Sequence, residues 1–453
     1  MPRCCPLLLV MTALSLAPGK AAADDWPQWL GPQRDGVWRE TGILDKFPPG
    51  GPKVLWRRPI NPGYTGPAVA DGRVYVMDRE RTTDKDGKPL PPAKGVGIPG
   101  TERIVCLSAT DGTVIWTHTY NCPYRIEYPT GPRTTPVVHA GRVYTLGAMG
   151  DIHCLDAATG KVIWAKNLLK EYNLDKPPVW GYAAHLLLDG ERLITLAGGD
   201  GSAVVALHKD TGRELWRALS VAEIGYAPPI LIEAGGTRQL IVFHSEAVAG
   251  LDPATGQVYW TERHPPHNKL VRPALPISTP KRMGDLLFVT QFHHGPLMLK
   301  LAADKPAVRV LWRGTSDNGG RPDGLHSLIS TPVLQDGHIY GICGRGELRC
   351  LKAATGEQLW ESLEPLGGKR ALFATAFLVP NGDRCFIWND QGDLIIATLT
   401  PQGYTEIDRA HLLDPVQTAR GRDIVWSHPA FANRCLYARN DKEIICVSLA
   451  KPK

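Results

Sequence analysis

The chain has 453 residues, of which 43% are hydrophobic and 21% charged, and it carries a formal net charge of +6 at pH 7. This length supports a large buried core, and basic and acidic residues are mixed along it. The mixed charge excludes the clustered basic surface that is typical of nucleic-acid-binding proteins, so we expect no nucleic-acid partner.

Residues 1–23 have the pattern of a secretory signal peptide. A basic start precedes an apolar run at residues 7–16 and three alanines that end at Ala23, after which we expect cleavage. Cys4 and Cys5 precede the apolar run, so neither is placed like the lipid-modified cysteine of a lipoprotein. No later segment reaches the roughly 18 apolar residues of a membrane span. The pattern predicts an exported protein, periplasmic or extracellular, that is soluble after cleavage.

Residues 24–53 are rich in proline, glycine and tryptophan and follow neither strand nor helix periodicity. We predict that this segment is an N-terminal arm laid on the domain that follows. Large aromatic side chains usually bury area. Trp26, Trp29 and Trp38 are therefore predicted to cover apolar surface instead of stacking on a ligand.

Residues 54–450 are organised by a repeat. The sequence TPVVHAGRVYTLGAMGDIHCLDAATGKVIW at residues 135–164 returns without a gap as TPVLQDGHIYGICGRGELRCLKAATGEQLW at residues 331–360. Each copy contains four runs rich in β-branched and aromatic residues, separated by turn sequences, which predicts one four-stranded antiparallel sheet. Such units at a period of about 45 to 50 residues predict a β-propeller.

Most copies end their fourth strand with a tryptophan after a Thr-Gly turn, in which glycine supplies the positive φ. We expect these indoles to occupy equivalent buried positions between blades. They are Trp56, Trp116, Trp164, Trp216, Trp260, Trp312 and Trp360. One further copy, near residues 374–408, lacks the tryptophan, so the chain is predicted to form eight blades.

The two ends of the repeat region complement each other. Residues 54–57 (VLWR) have the pattern of a fourth strand without its first three, and the final copy stops at Ala450 after three strands. We predict an all-β, eight-bladed β-propeller of four-stranded antiparallel blades, with its ring closed by the N-terminal strand. Closure removes exposed sheet edges. We expect a monomer.

The recurring xDAATGKxxW turn and strand resemble the pyrroloquinoline-quinone (PQQ)-like repeat of eight-bladed quinoprotein alcohol dehydrogenase-like propellers, over residues 54–450. For catalytic members, the resemblance implies PQQ, calcium held by carboxylate and amide oxygens, an acidic base, a stacking tryptophan and a disulfide between adjacent cysteines. The same repeat occurs in non-catalytic outer-membrane-protein assembly propellers. After residue 23 the chain has no adjacent cysteines. The nearest acidic pairs, Asn389-Asp390 and Asp317-Asn318, lack a matching motif and are interpreted as turns.

Long links between blades, and an insertion at residues 79–101, are predicted to emerge on one face of the propeller, where function normally lies. The residues entering each innermost strand should ring the mouth of the central channel on that face. An aromatic and cationic ring suits a flat anionic ligand or a peptide. The alternative is that the aromatic residues plug the channel. The candidates are Tyr64, Arg133, Tyr182, Tyr226, His326, Phe373 and Trp426.

Two groups of residues invite interpretation as metal or disulfide sites. No carboxylate accompanies His264, His267, His293 and His294 at a recognised spacing, so we expect solvent-facing or hydrogen-bonding histidines and no metal. Cys106, Cys154, Cys350 and Cys446 share one repeat position with Ala206 and Gly250, which indicates packing of a small residue. Cys343 with Cys350, and Cys435 with Cys446, flank hairpin turns, so free thiols and cross-strand disulfides both remain open.

No catalytic motif accompanies the repeat. The sequence favours an exported, non-catalytic propeller that binds a protein partner or a small ligand on its long-loop face, without a cofactor. The first alternative is a PQQ-dependent dehydrogenase that uses PQQ and calcium. The second is an assembly scaffold for envelope proteins.

Overall fold

The structure is a computed structural model that describes residues 24–452 apart from 268 and 270. The predicted signal peptide lies outside the described residues. The described part of the chain forms eight four-stranded sheets and one separate two-stranded hairpin. The prediction of an eight-bladed propeller of antiparallel blades is therefore confirmed. No helix among the described residues is both long enough and apolar enough to cross a membrane.

The strands of each blade follow one another from the channel outward. After β1 (Val54–Pro59), the first four blades are β2 (Ala68–Ala70), β3 (Arg73–Arg81), β4 (Gly100–Ser108), β5 (Val114–Asn121); β6 (Val137–His139), β7 (Arg142–Leu146), β8 (Asp151–Asp156), β9 (Val162–Asn167); β10 (Leu187–Asp189), β11 (Arg192–Leu196), β12 (Val204–His208), β13 (Glu214–Ala218); β14 (Ile230–Ala234), β15 (Thr237–Phe243), β16 (Ala247–Leu251), β17 (Val258–Arg263). A single-turn helix, α1 (Leu168–Glu171), follows β9.

The remaining blades repeat the same order. They are β18 (Lys281–Met283), β19 (Leu286–Gln291), β20 (Gly295–Leu301), β21 (Val308–Arg313); β22 (Val333–Gln335), β23 (His338–Ile342), β24 (Leu348–Lys352), β25 (Gln358–Ser362); β26 (Ala376–Asn381), β27 (Arg384–Asn389), β28 (Asp393–Thr400), β29 (Gly403–His411); and β32 (Ala430–Ala432), β33 (Cys435–Arg439), β34 (Glu443–Ser448) with β1. The extra hairpin, β30 (Gln417–Ala419) and β31 (Arg422–Ile424), lies in the link between blades seven and eight, where the sequence suggested only a loop.

β1 is the outer strand of the eighth blade. It pairs antiparallel with β34, with Trp56 opposite Cys446 and Arg58 opposite Ile444. The sheet order is β1, β34, β33, β32. The chain thus contributes its first strand and its last three strands to one sheet. That this strand holds the ring closed stays a prediction, and a truncation that tests it is given in the Discussion.

A repeated joint connects neighbouring blades. The indole nitrogen of Trp116 donates to the carbonyl of Ala157 in the next blade at 3.0 Å. A Cβ on Gly160, whose φ is +72°, would lie 2.5 Å from the Trp116 ring. The glycine therefore provides both the left-handed turn and the room for the indole. The same indole hydrogen bond to the next blade recurs at Trp56 with Ala109, Trp164 with Lys209, Trp216 with Pro253, Trp312 with Ala353 and Trp360 with Thr400.

Two features of this joint differ from the prediction. Trp260 donates to Gln239 Oε1 inside its own blade instead of to a carbonyl of the next blade. Trp164, Trp312 and Trp360 are only half-buried. Equivalent full burial was wrong for these three, whereas the other four indoles are 7% to 9% exposed although they lie on the same outermost strands.

The cysteine position is explained by the same joint. Cys106, Cys154 and Cys350 lie directly opposite the tryptophans of their own blades. In the blade that has glycine there, a Cβ on Gly250 would lie 2.3 Å from the ring of Trp260 as the indole stands. Small residues fill this position in most blades, as predicted, but Met298 lies opposite Trp312 in the fifth blade, so a small side chain is not required in every copy.

Neither of the two suggested cysteine pairs, Cys343 with Cys350 and Cys435 with Cys446, lies directly opposite across its hairpin. Cys350 pairs with Tyr340, because the hairpin centre lies earlier than the sequence suggested and places Cys343 opposite Glu347. Cys446 pairs with Tyr437 and Cys435 with Ser448, because that hairpin centre lies one residue later. All eight described cysteines are buried thiols in this structure.

Residues 24–53 cross the short-turn face, the face that carries the turns between first and second strands. Asp25 accepts a hydrogen bond from the backbone of Asp71 in such a turn at 3.1 Å. Trp26 forms an antiparallel β-bridge with Val69, and the backbone N–H of Trp38 donates to the Pro380 carbonyl at 2.9 Å. Trp26 and Trp38 are 3% and 1% exposed, so their predicted packing role is confirmed.

Candidate functional site

A cavity of about 170 Å³ opens at the channel mouth on the long-loop face, the face that carries the links between blades. Five of the seven residues predicted to ring the mouth line it, namely Tyr64, Arg133, Tyr226, Phe373 and Trp426. They come from different blades and enter the innermost strands, which is why the connectivity of the repeat was sufficient to place them.

The other two predicted residues, Tyr182 and His326, do not line this cavity. The hydroxyl of Tyr182 donates to the Ala197 carbonyl at 2.9 Å. His326 is buried between the Phe292 carbonyl and Asp323. Their blades present Ala183 and Ile329 to the cavity instead, one and three residues further along the chain. Tyr182 and His326 both lie in links before the innermost strands, where strand alternation does not determine which side chains face the channel.

Two further aromatic residues of the mouth, Tyr128 and Trp180, lie in the long links and were missed because those links have no periodicity. Trp180 stacks on Tyr226 with ring centroids 5.4 Å apart. Tyr128 contacts Trp180 at 6.4 Å and Trp426 at 6.2 Å, and Trp426 contacts Tyr64 at 6.4 Å. These five rings form a continuous aromatic arc around the mouth, which we call the aromatic rim. Such a surface suits apolar and aromatic groups.

Arg133 braces the rim. Its guanidinium donates to the carbonyls of Gly131, Tyr128 and Glu127 and lies 5.0 Å from the centre of the Tyr64 ring. These contacts hold the loop that carries Tyr128 against the propeller. Most of the hydrogen bonds of Arg133 are thus made to its own loop. Fewer of its N–H groups are left to bind the anionic ligand that the sequence suggested.

The floor of the cavity is formed by Trp29, which the N-terminal arm inserts into the channel. Its indole stacks on His185, with centroids 4.0 Å apart and planes 6° from parallel, and meets the edge of His428 at 4.3 Å. Its nitrogen donates to Thr279 Oγ1 at 2.9 Å. Trp29 is thus both buried, as predicted, and part of the candidate site.

The two floor histidines are uncharged at neutral pH. Burial lowers the pKa of His428 to about 3, and burial likewise holds the pKa of His185 well below its ordinary value. His185 Nδ1 accepts from the Thr135 backbone at 2.9 Å, and His428 Nε2 lies 2.5 Å from the Thr135 hydroxyl. The two histidines therefore contribute no charge to the floor of the cavity at neutral pH.

The lining does not fit PQQ with calcium. Calcium takes about six to eight oxygen ligands, mostly from carboxylates and amide or carbonyl groups. The described residues that line the cavity include no carboxylate or amide side chain. Asp390, one of the acidic candidates, is buried against Arg422 at 2.7 Å and accepts from the Thr375 backbone at 3.0 Å. We derive no redox step for this chain.

Asp317, the other acidic candidate, lies between His267 and His294. The histidines have no carboxylate at a recognised sequence spacing, and His267 and His294 form hydrogen bonds as expected, but the fold supplies a carboxylate that the sequence did not indicate. Asp317 is 50 residues from His267 in the chain, so the contact could not be predicted from a local sequence motif. His264 behaves as predicted, since its Nε2 lies 3.1 Å from the Gly295 carbonyl.

Comparison with known proteins shows the family. The sequence model described as outer membrane protein assembly factor BamB matches residues 100–361, more than half of the chain. The assembly factor BamB of Burkholderia pseudomallei is 24% identical over 325 residues, which cover 71% of this chain and 74% of that protein. The BamB of Salmonella typhimurium is 28% identical over 150 residues, 31% of this chain and 33% of that protein.

Solved structures share the fold. BamB from Moraxella catarrhalis superposes with a TM-score of 0.56 at 16% identity, covering 87% of this chain and 98% of that one. Quinohemoprotein alcohol dehydrogenase from Comamonas testosteroni gives a TM-score of 0.57 at 12% identity, covering 95% and 81%. The chain is a PQQ-like β-propeller of the quinoprotein alcohol dehydrogenase-like superfamily, and it belongs to the family described as outer membrane protein assembly factor BamB.

Proposed function

We propose that this chain is an exported, non-catalytic propeller that binds a protein partner on its long-loop face and serves as a scaffold in the assembly of envelope proteins. The observation that carries the proposal is the cavity bounded by the aromatic rim and floored by Trp29. A partner's apolar side chain fits such a concave aromatic site, with Arg133 at its edge.

The surroundings of the cavity support a protein partner. Val179 and Leu372 are 39% and 42% exposed, and they directly precede Trp180 and Phe373 of the cavity in the chain. They lie in the links before β10 and β26, so each of these two links of the long-loop face exposes an apolar side chain next in the chain to a lining residue. The related proteins named as outer membrane protein assembly factors agree with a role in assembly. The signal-peptide pattern of residues 1–23 agrees with export.

The catalytic alternative receives less support. A PQQ-dependent dehydrogenase needs oxygen ligands for calcium and an acidic base beside the quinone, and the described lining of the cavity offers neither. A small-ligand function is compatible with a cavity of about 170 Å³, but the related proteins named as assembly factors favour a protein partner.

Site-specific photo-crosslinking in the source cell tests the proposal. A photoreactive residue is placed at Trp180 on the rim and, as a control, at Asp336, which is exposed in a turn of the short-turn face. We expect Trp180 to capture a component of the outer-membrane-protein assembly machinery and Asp336 to capture none. Capture at Asp336 alone, or no protein adduct at Trp180, would contradict the proposal.

A further inference from the structure

A cluster of two histidines and one aspartate lies on the long-loop face, apart from the lining of the cavity. His294 is in the turn between β19 and β20, His267 in the link before β18, and Asp317 in the link after β21. Nδ1 of His294 lies 2.7 Å from Oδ1 of Asp317, and Nε2 of His267 lies 3.0 Å from Oδ2. One ligand atom from each of the three side chains lies within 4.8 Å of the other two.

We propose that His267, His294 and Asp317 form a binding site for a divalent transition-metal ion, with Zn²⁺ as the best match. Imidazole nitrogens and a carboxylate oxygen are the donors of open zinc sites, with bonds of about 2.0 to 2.2 Å. Tetrahedral coordination at these lengths places neighbouring ligand atoms about 3.3 Å apart. The two imidazole nitrogens already lie 2.7 and 3.0 Å from the carboxylate oxygens, so the two exposed side chains need only a small adjustment to reach this spacing, and solvent completes the coordination.

The exposure and the arrangement of the three side chains suit this role. The side chain of His294 is 3% exposed and fixed by packing, whereas those of His267 and Asp317 are 42% and 47% exposed and free to close on an ion. A carboxylate oxygen is a regular zinc ligand, and the carboxylate of Asp317 already lies between the two imidazoles.

A second group of metal-ligating types, Glu191, His208 and Asp210, shows what distinguishes the site. The ammonium of Lys209 lies 2.5 Å from Glu191 and 3.6 Å from Asp210, so a lysine already supplies the positive charge there. The described ion pairs of Asp317 involve only the two histidines. We infer metal binding for the Asp317 cluster alone.

An ion in this site would join two links that also form a wall of the cavity. The link with His267 carries Leu275 and Ile277, and the link with Asp317 carries Leu328 and Ile329, all four of which line the cavity. Metal occupancy would therefore restrain that wall. This consequence rests on the proposed function, whereas the metal site itself does not.

Zinc titration of the purified, untagged chain tests the site. The parent carries His208→Ala, which disables the second group, and it is stripped with chelator before calorimetric titration with Zn²⁺ alone. We expect one equivalent to bind, with affinity at least tenfold lower in His267→Ala and in Asp317→Asn. His293→Ala is the matched control, since His293 adjoins His294 in the chain but lies outside the cluster. Its affinity should equal that of the parent.

Two further measurements separate metal binding from folding. Zn²⁺ should raise the melting temperature of the parent but not of Asp317→Asn, while the metal-free melting temperatures agree. Co²⁺ in place of Zn²⁺ should give visible absorption bands in the parent only. No stoichiometric Zn²⁺ binding by the parent, unchanged affinity in both cluster variants, or an equal loss in His293→Ala would each overturn the proposal.

Discussion

Gly160 and Gly141 lie in one blade and share a φ of +72°, yet their surroundings differ. A Cβ on Gly160 would meet the Trp116 ring at 2.5 Å, whereas a Cβ on Gly141 would meet nothing within 4 Å. The pair therefore separates the cost of the backbone conformation from the cost of filling the joint between blades.

Alanine at each position measures the two costs. Both variants should lose about 1 kcal/mol from the left-handed backbone. Gly160→Ala should lose about 1 to 3 kcal/mol more, because the added methyl group displaces the indole. Urea unfolding gives both values, and equal losses would show that the indole moves freely.

His428 makes stability depend on pH. Its pKa is about 3 in the folded chain and about 6.5 when exposed, so below about pH 6.5 the unfolded chain binds a proton that the folded chain does not. Its contribution is full above that pH and is lost as the pH falls. His428→Gln should reduce the loss of unfolding free energy between pH 7 and pH 5 by about 2 kcal/mol. An unchanged pH dependence in urea titrations would mean that the imidazole is not buried.

At the scale of the strand and blade, most of the features that could be predicted from the sequence follow from the repeat. Four-strand units, Thr-Gly turns and the small residue opposite most of the tryptophans follow from local pattern and were predicted, whereas Met298 opposite Trp312 was not. The half-burial of Trp164 and Trp360 was not, because the repeat places an indole without showing what covers it. In the blade without the tryptophan, Asp408 accepts from the backbone of Phe47 in the arm at 2.7 Å, a contact between residues 361 positions apart.

The half-buried joints should be energetically alike. Trp164→Ala and Trp360→Ala each remove a partly exposed ring and one hydrogen bond to a carbonyl of the next blade. We expect similar losses of about 2 kcal/mol, below the 3 to 5 kcal/mol typical of fully buried tryptophan. Chemical denaturation of both variants checks this. Costs that differ by more than about 1 kcal/mol would argue against equivalence.

At the scale of the whole molecule, the connectivity of the repeat predicted where the mouth of the cavity lies. It did not predict which residue forms the floor of the cavity. Tyr64, Tyr226 and Trp426 were found because each enters an innermost strand. Trp29 was not assigned to the site, because it reaches Thr279 across 250 residues from an arm without periodicity. Contacts of such sequence separation leave no local pattern to detect.

Two truncations test whether β1 holds the ring closed. A chain beginning at Lys53 loses the arm but keeps β1, and a chain beginning at Pro62 loses both. We expect the second chain to melt lower than the first and to aggregate, since β34 then exposes an unpaired edge. Equal melting temperatures would show that β1 does not stabilise the ring.

The most direct test of the central claim is the dissociation constant between the purified chain and the partner captured at Trp180. Hot-spot aromatic residues contribute about 2 kcal/mol or more, so Trp180→Ala and Phe373→Ala should each weaken binding about thirtyfold. Leu55→Ser is the control, because Leu55 is 45% exposed on the outermost strand, away from the cavity. The account predicts an unchanged constant for Leu55→Ser. Unchanged binding in both cavity variants, or equal weakening by Leu55→Ser, would contradict it.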